Sequence, residues 1–199
     1  MAKIVEYPDS ALKKKCRQVK KNNEELQKVA DELKSTLMAA HNGIGLAAHQ
    51  IGEDLCVFAI HQPGHDHVDI YINPEIVETH DKEKVYPQVY TEEGDREEFY
   101  EGCLSFPGLY GTVKRWMEIQ VKYQTLNEEG KFELKEESLT GLNAIVFQHE
   151  LDHLKGVLFV DHIAEDNGKI FKESKDGLQE IDIEEVITHN SSIADLAFS

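Results

Sequence analysis

Two histidines four residues apart, with a carboxylate directly after the first, constrain this chain most tightly: His149-Glu150-Leu151-Asp152-His153. On an α-helix, positions i and i+4 share a face, so both imidazoles can reach one ion while Glu150 stands beside it as a proton carrier. The flanking residues predict that helix. From Thr140 to Gly156 the apolar residues Leu142, Ile145 and Val146 fall on the i, i+3, i+4 stripe that His149 and His153 continue, so the ion-facing side is expected to be the buried side. Thr140 stands as the N-cap and Gly156 as the C′ residue.

A catalytic site of this kind takes three protein ligands and keeps one position open, so a third donor is needed from elsewhere. A metzincin would place histidine where this chain has Phe159, and that reading fails. A thermolysin-like peptidase would take a downstream glutamate. Glu165 and Glu173 are available, but both lie in a polar, acidic stretch and read as solvated surface. Upstream, Glu101-Gly102-Cys103-Leu104-Ser105-Phe106-Pro107-Gly108 offers a thiol between glycines, whose small bulk lets it approach an ion closely.

Three blocks in order carry a family resemblance: Gly43-Ile44-Gly45-Leu46-Ala47-Ala48-His49-Gln50, Glu101-Gly102-Cys103-Leu104-Ser105 and Gln148-His149-Glu150-Leu151-Asp152-His153. Together they resemble the signature blocks of the peptide deformylases. The likeness extends to Tyr7-Pro8-Asp9 with Leu12 and to the stretch from His153 to Asp161, with a poorly matching interruption near 78–99. One departure stands inside the first block: His49 occupies a position where the family usually has proline or a small residue.

The resemblance implies that Cys103, His149 and His153 are the metal ligands and that water in the fourth position is the nucleophile. Iron(II) is the implied physiological ion; by ligand type zinc, cobalt and nickel also suit the site. Glu150 would move the proton, and the Gln50 side chain with the Leu104 backbone N–H would hold the oxyanion. Ile44, Gly45, Leu142, Ile145 and Val146 would bind substrate, forming a methionine pocket beside a strand that exchanges hydrogen bonds with the peptide. Glu101 and Arg115 would pair to support the cysteine loop, whereas Asp152 reads as a surface or locally bonded carboxylate. The implied reaction removes the formyl group from N-formylmethionyl nascent polypeptides, releasing formate. Two rival readings are a metallopeptidase of another H-E-x-x-H class and a structural metal knot in a binding protein.

Elsewhere the pattern predicts an α+β fold, with antiparallel β-sheets packed around the central metal-binding helix and one N-terminal helix. Leu26, Val29, Ala30, Leu33 and Leu37 predict a helix over about 24–41, capped by Asn23 and ended by Gly43. Runs at 55–60, 68–72, 118–123 and 131–134 read as strands, with Asn127-Glu128-Glu129-Gly130 as a turn. The charged stretch 78–99 reads as a solvated insertion, and His61, His65 and His67 as an exposed turn.

A chain of 199 residues with 40% hydrophobic content suits a single catalytic domain over 1–199, ending in an acidic tail from about 164. The formal charge of −17 argues against direct nucleic-acid binding. The resemblance implies ribosome docking through a basic C-terminal helix in some family members; the acidic tail here lacks that charge, which leaves ribosome association transient at most. No run approaches a membrane span or a signal-peptide core. Cys16, Cys56 and Cys103 are too few and scattered for a disulfide framework, which fits a reducing cytoplasm, or an organelle stroma or matrix after removal of an import segment.

Overall fold

A computed structural model describes residues 1–40, 42–62, 67–90 and 94–187. The elements run α1 (Glu24–Ala39), β1 (Gly45–Ala47), β2 (Val57–Ile60), β3 (Asp69–Thr79), β4 (Gln88–Tyr90), β5 (Arg96–Glu98), β6 (Glu101–Gly102) and β7 (Leu109–Gly111). They continue with β8 (Glu118–Leu126), β9 (Phe132–Thr140), α2 (Gly141–Lys155), α3 (Phe159–Asp166), β10 (Ile170–Ser174), β11 (Gly177–Ile181) and α4 (Ile183–Ile187). Short 3-10 turns cover Ser10–Lys13 and Ala48–Ile51. This is the expected α+β fold with antiparallel sheets. Two compact units divide it: Met1–Val85 with Arg115–Leu158, and Tyr86–Lys114 with Phe159–Ser199.

The first unit is a five-stranded antiparallel sheet, ordered β1-β2-β3-β8-β9, with a helix on each face. Strand β2 shows why both helices are needed. All four of its residues are buried, and with period-2 alternation Phe58 and Ile60 face α2 while Val57 and Ala59 face the other side, where α1 packs. Helix α2 contributes Ala144, Phe147, Leu151 and Leu154 to a core completed by Phe58, Tyr71, Ile119, Val121 and Leu139 from the sheet. Phe147 meets Phe58 edge-on at 5.1 Å and Tyr71 at 5.7 Å, the T-shaped geometry that aromatic quadrupoles favour.

Several local expectations change. Helix α1 ends at Ala39 with Ala40 as cap, and Gly43 lies past it, its N–H donating to Ala40 O. Strand β9 runs without a break from Phe132 to the start of α2, longer than its exposed, charged residues indicated. The turn before it forms as expected: Asn127 Oδ1 accepts from the Glu129 and Lys131 N–H groups, and Gly130 adopts φ +71°. Cys16 and Cys56, expected to stay separate, form a disulfide across 40 residues, because the segment after the first 3-10 turn lies alongside the entry to β2. His65 lies outside the described residues; His67 is exposed and faces Asp69.

The second unit holds the four-stranded antiparallel sheet β11-β10-β7-β6 and the β4–β5 hairpin. Residues 78–99 are therefore not plain loop. Strand β3 continues to Thr79, and Gln88–Tyr90 pairs with Arg96–Glu98 through backbone bonds that charged side chains do not advertise. The described part of the expected acidic tail is likewise structured, since β10 pairs with β7 as well as β11. Gly111 is required where β7 passes α3: a Cβ there would meet Ile163 Cδ1 at 2.3 Å and Lys169 O at 2.9 Å.

Candidate active site

Helix α2 carries both histidines and Glu150. The rings of His149 and His153 stand edge to face with centroids 5.0 Å apart, as i and i+4 positions allow. His153 is 1% exposed, and burial, reinforced by the neighbouring His149, holds its pKa well below the ordinary imidazole value. A ring kept neutral in this way is in the form that ligates a metal. Glu150 is buried too.

The predicted stripe is only partly buried. Ile145 is buried and Val146 half-buried, but Leu142 is 39% exposed, and the main packing face is Ala144, Phe147, Leu151 and Leu154. The histidine stripe thus runs beside the core-facing stripe rather than coinciding with it. Gln148 also faces inward. Its amide accepts from Trp116 N–H and donates to Trp116 O and Ala144 O, fastening the approach to β8 onto the helix just before His149.

Asp152 is not a surface carboxylate. It forms an ion pair with Arg115, whose side chain is 2% exposed. An arginine so deeply buried needs such a partner, and a planar guanidinium suits a carboxylate on a neighbouring helix.

The glycine block meets this helix closely. A Cβ on Gly45 would lie 2.2 Å from Glu150 Oε1, so glycine at the first position of β1 makes the room that the carboxylate occupies. Gln50 is 1% exposed, against the usual exposure of glutamine, and its Oε1 accepts from Ala47 N–H at 2.8 Å. With the oxygen committed there, the NH2 end is the donor end of that amide. Ile44 is half-buried and packs against the core. Next to Gln50, His49 is buried and its Nδ1 lies 2.7 Å from the carbonyl oxygen of His153.

Cys103 follows β6 in a tight turn closed by Phe106 N–H to Cys103 O at 2.9 Å and Leu109 N–H to Phe106 O at 3.1 Å. Both flanking glycines are needed. A Cβ on Gly102 would press on the Tyr110 ring at 2.9 Å, and Gly108 adopts φ +71°. The turn is anchored by buried Phe106, edge-on to Phe159 at 5.1 Å. Cys103, which takes no part in the disulfide, is half-buried, as is Leu104 beside it.

The ligand atoms of Cys103, His149 and His153 all lie within 4.8 Å of one another, a Cys-His-His group able to hold a metal ion. Thiolate and neutral imidazole suit divalent ions of the iron-to-zinc series. Sequence reasoning missed the roles of Asp152, Gln148 and His49, all polar residues with a partner on another segment of the chain. Their common signal is a polar residue at a position the helical or turn pattern assigns to the interior.

The family model of polypeptide deformylase matches residues 1–169. A peptide deformylase of Mesorhizobium japonicum is 39% identical, over 81% of this chain and 83% of its own. One from Aquifex aeolicus is 42% identical, over 80% of this chain and 86% of its own. The crystal structure of the peptide deformylase from Thermotoga maritima aligns with a TM-score of 0.66 at 38% identity, covering 81% of this chain and 97% of that one.

Proposed function

Because this chain belongs to the polypeptide deformylase family, metal-dependent hydrolases that remove the N-formyl group from nascent polypeptides, we propose that Cys103, His149 and His153 are its metal ligands and Glu150 its proton carrier. The observation that carries this reading is the Cys-His-His group itself, with Glu150 next in sequence to His149. What a divalent ion supplies when bound is Lewis acidity, which polarises a carbonyl and acidifies a water. Iron(II) is our choice for the resident ion, on the softness of the thiolate and the family resemblance; zinc, nickel and cobalt suit the same donors.

The remaining steps belong to the chain's own residues. Glu150 takes a proton from the attacking water as the new C–O bond forms at the formyl carbon. The carbonyl oxygen gains negative charge, which the NH2 end of Gln50 and the backbone N–H of Leu104 stabilise. Glu150 then delivers the proton to the departing nitrogen as the C–N bond breaks, leaving formate and a free amino terminus. Ile44, Gly45, Leu142, Ile145 and Val146 take the methionine side chain and the extended peptide. The exposure of Leu142 suits a pocket wall better than a core position.

The same reading takes residues 1–199 as one catalytic domain, with an insertion near 78–99 and an acidic segment at 164–199. Its partners are N-formylmethionyl nascent polypeptides, with ribosome association transient at most, no direct nucleic acid and no membrane. Among the described residues no helix is long and apolar enough to cross a membrane. We place the protein in the cytoplasm because nascent chains are met there. The Cys16–Cys56 disulfide removes the cysteine argument for a reducing compartment.

The test is formate release from a short N-formylmethionyl peptide by iron(II)-loaded protein, beside an N-acetylated control. Release from the formyl peptide should fall about 10²–10⁴-fold in Glu150→Gln, the range for a lost general acid–base. Equal turnover by wild type and Glu150→Gln would remove Glu150 from the reaction. Retention of activity by Cys103→Ser would point instead to a different third ligand.

A further inference from the structure

We propose that His49 is a positioning residue for His153, fixing the backbone of that histidine through a hydrogen bond from its own ring. The proposal rests on the assignment of His153 as a metal ligand made above.

His49 is a buried side chain on the 3-10 turn Ala48–Ile51, and its Nδ1 lies 2.7 Å from His153 O. A carbonyl oxygen only accepts, so Nδ1 carries the proton and donates. Burial lowers the pKa of this ring, which keeps it in the neutral form with one donor and one acceptor. His153 O sits in the last turn of α2, where carbonyls lack partners within the helix. It already receives Gly156 N–H at 3.0 Å, so the His49 ring brings a second donor to the same oxygen. A carbonyl bonded on both lone pairs resists tilting, and tilt of this peptide would swing the His153 ring relative to His149.

The other ring nitrogen argues against simple packing. His49 Nε2 is buried with no hydrogen-bond partner among the described residues. An apolar side chain of similar size would fill the space without burying that acceptor. The benefit the imidazole offers over such a residue is therefore the bond from Nδ1. Proline or a small residue, usual at this position among the proteins the chain resembles, cannot reach His153 O. This chain has built a support of its own for one ligand.

Cobalt(II) serves as the probe, read by its visible absorption and by its rate of loss to excess chelator. The full chain is compared with His49→Leu, which keeps bulk without a donor, His49→Asn, whose amide nitrogen falls near the Nδ1 position, and His49→Ala, the small-residue alternative. Thermal unfolding of each metal-free protein checks that it folds. Loss of the partner that orients a metal-ligating histidine typically costs about 10–100-fold in affinity. We expect His49→Leu and His49→Ala to release cobalt about 10–100-fold faster with an altered absorption band, and His49→Asn to stay within about threefold of the parent. Equal release by Asn and Leu variants, or by all variants and the parent, overturns the proposal. If Leu does not fold, the Ala and Asn pair decides in the same way. A parent protein that binds cobalt without a thiolate-to-metal absorption band, or not at all, sinks the ligand assignment and this inference with it.

Discussion

The two ends of α2 are built to different standards. At the N-terminal end Thr140 holds the N-cap position with extended backbone angles, but its side chain makes no capping bond, and Leu142 is partly exposed. At the C-terminal end almost every free carbonyl is claimed. Val157 N–H reaches Asp152 O and Gly156 N–H reaches His153 O, the paired bonds of a Schellman motif, with Gly156 at φ +73°. Two donors from distant sequence add to these, His49 Nδ1 on His153 O and Cys16 N–H on Leu154 O. The Arg115–Asp152 pair lies in the same turn. Both histidines belong to this well-held half. The difference teaches that the supports along the helix are concentrated at the end that carries the two histidines.

Removing supports from the strong end should be costly. Asp152→Ala takes one carboxylate away from a buried guanidinium, and breaking such a pair typically costs about 3–5 kcal/mol. Urea denaturation of the metal-free protein measures it; a loss under about 1 kcal/mol would show that the pair does not hold this end. Gly156→Ala should come next. A Cβ there would stand 2.4 Å from Lys13 O and 2.8 Å from Lys14 O, backbone atoms with little freedom to move, and its positive φ strains any L side chain. We expect at least about 2 kcal/mol by the same measurement. A neutral result would mean that the Ser10–Lys13 turn is not held against the helix end.

How much of this was legible beforehand follows the range of each interaction. The helix, its C′ glycine and the position of the metal-site candidates were readable, because apolar period, Gly156 and the i, i+4 histidines are all local signals. The strands were located, but β9 was cut short, since Glu133, Lys135 and Glu136 are solvent-facing and its pairing energy lies in backbone bonds to β8. The β4–β5 hairpin was hidden for the same reason. Asp152 was misread because its partner lies 37 residues away, and the Cys16–Cys56 bridge because its halves are 40 apart. In the site, Gly45 was read as room for a substrate strand; the carboxylate of Glu150 against it appears only in three dimensions.

A pH scan sharpens the comparison at lower cost in stability. His49 and His153 are both buried at the strong end, and burial lowers the pKa of each. A lowered histidine pKa means the unfolded state takes up protons that the folded state refuses. Their neutral-state stability is therefore fully present above the ordinary value of 6.5 and declines as pH falls below it. The slope is at most about 1.4 kcal/mol per pH unit for each ring. Metal-free protein should lose stability from pH 6.5 toward 5, and His49→Asn should flatten that slope by about half. A slope unchanged by the substitution would mean that the ring titrates normally.

The smallest effect is expected at the weak end, and it is the control that gives the others meaning. A threonine whose side chain caps a helix typically contributes about 1 kcal/mol, through the N–H group it satisfies. Thr140 makes no such bond, and the preceding strand already fixes its backbone through the pairing of Thr140 with Glu118. The entry to α2 is held instead by Gly141 N–H on Met117 O. Thr140→Ala should therefore change stability by less than about 0.5 kcal/mol, the usual range for a surface substitution without a lost bond, and leave cobalt release unaltered. A cost above about 1 kcal/mol in urea denaturation would reveal a working cap, and the two ends of the helix would then differ in the number of their supports but not in kind.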